Sequence, residues 1–438
     1  MSKKPNILVF FTDQQRWDTC GCYGSTNDLT PCLDSLAADG VVFDNAVSCQ
    51  PVCGPARAVI QTGLYATHNT CYRNAIDLPI TDDTLAHRMI RAGYKSGYVG
   101  KWHLAGTGFE AVPEELRAGY KDYWMAADLL EFSSGAYSGF VFDKDNNKVT
   151  FENQYRVEAI TDYAIDTINS HNPEDPLFLM VSYLEPHHQN NLNRYVAPDG
   201  YAARYKDAAV PEDLQVLDKP DADWRANLAD YYGCIRSLDE NLQRIVDCLK
   251  ERGMYDDTVI VFTCDHGSHF RTRNGEYKRS CHEASVHIPM VFRGGAFTGG
   301  RRATQAVSLV DLAPTLCEIA GADNSGMDGQ SFAAMANEDI AGWEEDKFIQ
   351  ISESEVARAI RTPKYKYCVT APHKDGWKDS FSPVYVESCL YDMEADPHEL
   401  KNLAGDPAYN EIKATLKAKL IKKIEAVEHY TPTIVSLT

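Results

Sequence analysis

The 438-residue chain has no apolar run long enough to cross a bilayer and no excess of basic residues, and each absence narrows what it can do. The early run from Ile7 to Phe11 stops at Thr12-Asp13, far short of a membrane span. It is also too short for the core of a secretory leader, although Lys3 and Lys4 precede it. No membrane association is expected. As the sequence stands the expected location is cytoplasmic, or periplasmic or secreted if a leader has been trimmed. A net charge of −20 removes the extended basic face that nucleic acid or an anionic lipid surface requires. Attraction for an anionic substrate therefore has to be local, and Arg57, Lys101, Lys278 and the Arg271/Arg273 pair are the candidates. Internal repeats and low-complexity segments are missing. So is paired cysteine spacing: the thirteen cysteines are scattered and odd in number, which argues against a disulfide framework and mildly for a reducing compartment. Cys20/Cys22 and Cys49/Cys53 lack the spacing of a zinc site, and most of the cysteines suit small core positions.

What is present is a globular composition, with 44% hydrophobic and 24% charged residues, and enough length for one large domain and a smaller companion. Pro5 to Phe11, Leu177 to Leu184 and Thr258 to Thr263 read as fully buried strands, and Tyr94 to Val99 as a weaker one. Val41 to Val47 reads as another. Helical spacing marks the segment opened by Thr30-Pro31 and stopped at Gly40, Tyr155 to Ser170, and a long structural helix within 221 to 252 that ends at Gly253. Residues 107 to 154 show poor periodicity and read as loops and insertions. After a helix from Asp311 to Ile319 the composition turns polar. We expect a boundary near residue 340, dividing 1–340 from 341–438, with short strands and a final helix from Tyr409 to His429 in the second part.

Ligand-competent residues fall just beyond the strands, where open α/β sheets gather their sites. Asp13-Gln14 follows the first strand, Lys101 and His103 the weak one, His187-His188 the Leu177 strand, and Asp265-His266-Gly267 the Thr258 strand. Each has an ordinary alternative as a turn cap, a surface lysine or a solvated histidine. In an extended segment Lys101 and His103 point the same way and can converge on one anion. The charged stretch after Phe270 holds Arg271, Arg273, Lys278 and His282. Around position 53 the stretch Ser48-Cys49-Gln50-Pro51-Val52-Cys53-Gly54-Pro55-Ala56-Arg57 places a thiol at a helix start and a guanidinium one turn on. Gly63 is suited to end that helix in a left-handed conformation. The same residues would also suit a buried cysteine on an ordinary helix.

Cys53-x-Pro55-x-Arg57 followed by Thr62-Gly63 resembles the signature of type I sulfatases, in which the cysteine is oxidised to formylglycine after translation. Gly100-Lys101-Trp102-His103 resembles the family's second signature, and Pro186-His187 its third site segment, with His187 favoured over His188. Leu390-Tyr391-Asp392 and the run from Asp396 to Leu403 resemble its C-terminal domain. The order of these segments matches the family's along nearly the whole chain. The resemblance implies an alkaline-phosphatase-like α/β fold: a large mixed, mostly parallel sheet sandwiched by helices, with a smaller C-terminal α+β domain.

It also implies an activity: hydrolysis of an organic sulfate ester, with a sulfated saccharide as the expected substrate class. Carried over by position, Asp13, Gln14, Asp265, His266 and the modified Cys53 would hold one divalent metal, Ca²⁺ in the first instance and Mn²⁺ as the alternative. Arg57, Lys101 and Lys278 would balance charge on the sulfuryl oxygens, Asp265 would accept a proton, and His103 or His187 would protonate the departing alcohol. Arg271, Arg273 and His282 are expected to grip a further anionic group of the substrate. A formylglycine-generating or anaerobic sulfatase-maturating enzyme is the implied partner. Gln14 and His266 depart from the Asp and Asn that many members carry, as does Ala56 from a common Ser. Phosphonate monoester or phosphodiester hydrolysis on the same machinery is the alternative activity, and non-catalytic binding of sulfated glycans a third.

Overall fold

The computed structural model describes residues 4–437; Lys3, counted above among the residues before the first strand, lies outside them. A ten-stranded sheet forms the centre, and five of its strands run parallel in the order Thr258–Cys264, Asn6–Thr12, Leu177–Ser182, Lys95–Lys101 and Tyr123–Ala127. Antiparallel Met290–Arg293 leads out to Val41–Phe43 and Arg301–Ala303 on one side; Ser138–Asp143 and Lys148–Glu152 extend the other.

The apolar runs explain why this sheet is covered on both faces. Side chains alternate along a strand, so in Asn6–Thr12 the residues Ile7, Val9 and Phe11 enter one core while Leu8 and Phe10 enter the other. The first core takes Ala58 and Val59 from the Cys53–Thr62 helix, Leu85 from Leu85–Arg91, and Leu312 and Leu316 from Leu312–Ala320. The second takes Leu33 and Leu36 from Pro31–Asp39, Val157 and Ile160 from Arg156–Ser170, and Leu238 and Leu242 from the 28-residue helix Trp224–Glu251.

Residues 107–154 differ from expectation. They contribute three strands of the main sheet, Tyr123–Ala127, Ser138–Asp143 and Lys148–Glu152. The Tyr-Trp-Met-Ala-Ala strand is poor in β-branched residues, and the last two strands lie at the sheet edge with half-exposed faces, so neither an apolar run nor clean alternation marks them. The expected Val41–Val47 strand is broken, its second half pairing in a separate two-stranded sheet. A five-stranded sheet begins at Lys347–Ile351, and the helix Asn410–Glu428 packs on it through Leu416, Leu420 and Ile424.

Parallel register aligns the carboxyl ends. Thr12 lies beside Cys264, Phe11 beside Ser182, and Gly100 beside Ser182 on the other side, so Asp13, Asp265 and Lys101 emerge along one edge. Gly100 is required there. Its φ is +108°, and a Cβ would fall 1.9 Å from the Ser182 carbonyl oxygen.

Candidate active site

Cys53 is the first residue of the Cys53–Thr62 helix, which Gly63 ends at φ 68° as a left-handed cap. Its Sγ lies 2.7 Å from Lys278 Nζ, 3.3 Å from His266 Nε2 and 3.4 Å from Asp13 Oδ1. Ligand atoms of Asp13, Cys53, Asp265 and His266 all fall within 4.8 Å of one another, and all four residues are buried.

The surrounding bonds leave that cluster poised for a cation. His266 Nδ1 lies 3.0 Å from the Gly267 carbonyl; a proton there frees Nε2 to face the carboxylates, the arrangement in which imidazole binds metals. Gln14, at φ 68°, donates its Nε2 protons to Tyr195 Oη at 2.7 Å and Ser268 Oγ at 3.3 Å. Its Oε1 is buried without a hydrogen-bond partner among the described residues, as is Asp265 Oδ2, which has only Arg57 Nη2 at 3.9 Å. The other oxygen, Asp265 Oδ1, accepts the backbone N–H of Gln14 and of His266. Burial, then the charge of Asp13, holds the Asp265 carboxyl up at about 6. Burial opposes ionisation of Asp13 too, but Lys101, His187, Lys278 and Arg57 hold it well below the usual range. Two buried carboxylates that repel, two oxygens without a hydrogen bond and an imidazole nitrogen turned toward them fit a divalent cation.

Arg57 and Lys101 stand behind this cluster. Both are essentially unexposed: Arg57 Nη2 donates to Asp13 Oδ2 at 3.0 Å and Lys101 Nζ to the same oxygen at 2.9 Å. Arg57 Nη1 also donates to Ser182 Oγ and to the Lys101 carbonyl. The cavity itself, about 390 Å³, is lined by Cys53, Gln14, His103, His187 and Lys278, with Asn74, Asn190, Asn193, Glu276, Tyr277 and Arg279 beyond them. Burial opposes ionisation of the Cys53 thiol, but Lys278, Lys101 and His266 prevail and bring it down to about 7.

Glu131 is a site residue that sequence reasoning missed. Its Oε1 lies 3.2 Å from Lys101 Nζ and 3.7 Å from His103 Nδ1. Despite burial, Lys101, His103 and His187 hold its carboxyl down at about 2. Lys101 and His103 thus converge, but on this carboxylate, and His103 does so through a positive φ of 64° that breaks the extended geometry expected of it. Glu131 follows the Tyr123–Ala127 strand. Recognising that strand was the signal that would have found it. Burial, with Lys278 for His187 and Lys101 for His103, lowers both imidazoles to about 3. His187 has both nitrogens engaged, Nδ1 at 2.6 Å from the His188 carbonyl and Nε2 at 3.2 Å from Lys278 Nζ.

The expected anion grip does not assemble. Arg273 donates to the carbonyls of His398 and Glu399 and faces a separate cleft of about 280 Å³, and His282 Nε2 lies 3.3 Å from Tyr391 Oη. Both are turned to the C-terminal sheet because that sheet packs on their loop. Arg271 stays close, donating to Asn193 Oδ1 at 3.3 Å and lying over the Tyr277 ring, behind the cavity wall.

Comparison with known proteins accounts for this arrangement. The family model described as Sulfatase matches residues 5–322, and one described as N-sulphoglucosamine sulphohydrolase, C-terminal, matches 275–426. An ulvan-active sulfatase of Formosa agariphila is 30% identical over 440 residues, covering 96% of this chain and 81% of its own. An N-acetylglucosamine-6-O-sulfatase of Bacteroides thetaiotaomicron is 25% identical over 93% of this chain and 84% of its own. The phosphonate monoester hydrolase of Agrobacterium radiobacter, at 24% identity, shares the fold with a TM-score of 0.74 over 97% of this chain and 96% of its own. Family membership implies a divalent metal and a formylglycine, and the cluster around Cys53 fits both. The chain belongs to the sulfatase family of the alkaline-phosphatase-like superfamily and is a sulfuric ester hydrolase.

Proposed function

We propose that the protein removes sulfate from a sulfated saccharide at the cavity above Cys53, with residue 53 acting as formylglycine beside a Ca²⁺ ion held by Asp13, Gln14, Asp265 and His266. The observation that carries this reading is the meeting, within 4.8 Å, of ligand atoms from three separate strand and helix ends. Two carboxylates and an amide oxygen favour a hard cation, while His266 keeps Mn²⁺ as the alternative. When bound, the ion supplies Lewis acidity and the formylglycine an oxygen nucleophile in place of a thiol.

The chain's own groups do the remaining work. Arg57 and Lys101 hold Asp13 ionised and in place, and their charge, with that of Lys278 at the cavity wall, offsets the anion that enters. His103, with Nδ1 turned to Glu131, uses Nε2 to take a proton at residue 53. Asp265, whose Oδ1 is occupied by two backbone donors, is better suited to holding a cation than to accepting that proton. Lys278 and His187, 3.2 Å apart, form the pair that delivers a proton to the departing alcohol.

The saccharide assignment rests on the lining, where asparagines, Glu276 and Arg279 offer hydrogen bonds to hydroxyls around one aromatic wall at Tyr277. Curated relatives named for ulvan and N-acetylglucosamine-6-sulfate support it. We also take the chain to divide near residue 340, and a maturating enzyme that recognises the segment around Cys53 to be its partner. The test is desulfation across a panel of sulfated mono- and oligosaccharides, with phenyl phosphonate and an aryl sulfate alongside, together with mass spectrometry of the peptide containing residue 53. Saccharide turnover above that of the aryl ester, with a mass loss at residue 53, is the expected result. A phosphonate preference, or an unmodified thiol in active protein, would refute it.

A further inference from the structure

Three buried cysteines from distant parts of the chain meet where the Lys278 loop packs on the C-terminal sheet. Cys281 follows Lys278 by three residues. Cys368 and Cys389 stand opposite each other on the antiparallel strands Tyr365–Thr370 and Val384–Asp392. Their sulfurs lie within 4.8 Å of one another, with Cys281 and Cys389 3.9 Å apart. None of the three is more than 6% exposed.

That spacing has a specific chemical meaning. Thiolates sharing one zinc-like ion at about 2.3 Å stand roughly 3.8 to 4.0 Å from each other. The three cysteines belong to one buried apolar cluster with Val47, Val286, Ile351 and Ala359, and no carboxylate belongs to the set. A hard, oxygen-seeking cation has nothing to bind here, whereas a soft one does. Two polar side chains border the set. Lys366, two residues before Cys368 on the same strand, is buried, with its Nζ paired to Glu283 and Glu399 at 2.7 Å each. His282, next to Cys281 in the chain, is not among the ligand atoms that meet here; its Nε2 lies 3.3 Å from Tyr391 Oη, so the three sulfurs are the ligands that the described residues supply.

We propose that Cys281, Cys368 and Cys389 form a second metal site, separate from the cluster at Asp13, that takes a soft d¹⁰ cation such as Zn²⁺ or Cu⁺. Binding breaks three S–H bonds, forms three S–metal bonds and releases the protons to solvent; nothing is oxidised. The ion would pin the loop carrying Lys278 to the C-terminal sheet, joining parts of the chain about a hundred residues apart.

Cd²⁺ is the probe, because thiolate coordination gives it an ultraviolet charge-transfer band. Full-length Cys53→Ala protein, reduced and stripped of metal by chelation, should develop that band to an end point of one Cd²⁺ per chain, with a rise in melting temperature. In the same background Cys281→Ser should abolish the band, and Cys368→Ser and Cys389→Ser should each weaken binding by more than about 100-fold, beyond what even an outer-shell change costs. Should Cys281→Ser fail to fold, the other two variants carry the test. Absence of the band in folded, reduced protein, its persistence in all three variants, or a disulfide between any two of these cysteines in protein isolated without reductant would overturn the proposal.

Discussion

Replacing Glu131 by Gln changes one charge and almost no volume, which makes it a clean probe of how His103 works. Glu131 Oε1 is 3.7 Å from His103 Nδ1 in a buried setting. At an effective dielectric of about 20 a pair at that separation is worth roughly 4.5 kcal/mol, or about three pH units of proton affinity. Lys101, although 3.2 Å from the same carboxylate, keeps its charge because Asp13 Oδ2 remains 2.9 Å away. The loss therefore falls on His103. A base loses rate in proportion to part of its lost basicity; with about half expressed in the barrier, kcat should fall roughly 30-fold, less than the about 10²- to 10⁴-fold that a positioned general base contributes outright. The sign is specific. His103 must be unprotonated to accept a proton, and a bound anion raises it from about 3 toward its ordinary range, so in the substrate complex that kcat reports, weakening its hold on the proton moves the acid limb to lower pH by about two to three units. The assay is steady-state desulfation from pH 4 to 9 for wild type, Glu131→Gln, His103→Ala and the double variant. An acid limb that stays in place, or losses that simply add in the double variant, would refute the coupling of Glu131 to His103.

Cys53→Ala should lower turnover by at least about 10³-fold, since it removes covalent catalysis altogether; full activity, or an unmodified thiol in active wild type, would contradict the assigned nucleophile. Chelation should abolish activity and also lower the melting temperature, because an ion present at about 100 times its Kd stabilises the fold by about 2.7 kcal/mol. Calcium should restore both, and an unchanged melting temperature would remove the metal from the Asp13 cluster. Gly100→Ala forces a Cβ to within 1.9 Å of the Ser182 carbonyl oxygen at φ +108°. A destabilisation of about 4 kcal/mol or more is expected in urea unfolding, and a wild-type midpoint would mean the strand end can shift.

Legibility in the sequence followed the physics of each element. Strands buried on both faces announce themselves as apolar runs, so Asn6–Thr12, Leu177–Ser182 and Thr258–Cys264 were readable, and with them the line of strand ends that brings Asp13 and Asp265 together. The Tyr123–Ala127 strand carries its burial in one tryptophan and two alanines, a pattern that specifies no period, and Glu131 was lost with it. Arg273 and His282 were placed by charge type alone. Whether a charged loop faces a cavity or a neighbouring sheet depends on long-range packing, here with residues 391 to 399, which no local pattern encodes. Cys281, Cys368 and Cys389 are separated by 87 and 21 positions, so spacing rules had nothing to detect until the register of two strands set two of them side by side.

The strong negative charge of the chain bears on why the cavity can still favour an anion. Fields from surface carboxylates are screened within about 8 Å at physiological ionic strength, whereas buried charges are screened far less. Lys101 and Arg57 are buried directly behind Asp13, and Glu131 offsets only part of their charge. Two carboxylates facing one divalent ion come near to neutrality, which leaves Arg57, Lys101 and Lys278 in excess over Glu131 at the cavity floor. An anionic ester therefore meets positive charge only where bonds are to be made. Burial first, and then Lys278 beside His187 and Lys101 beside His103, lowers the proton affinity of both imidazoles, Glu131 offsetting part of the effect. An entering anion reverses that condition for both and returns them toward their ordinary range. A bound anion thus makes His103 a stronger base while leaving it neutral at its ordinary range, and lets His187 take up and pass on a proton beside Lys278.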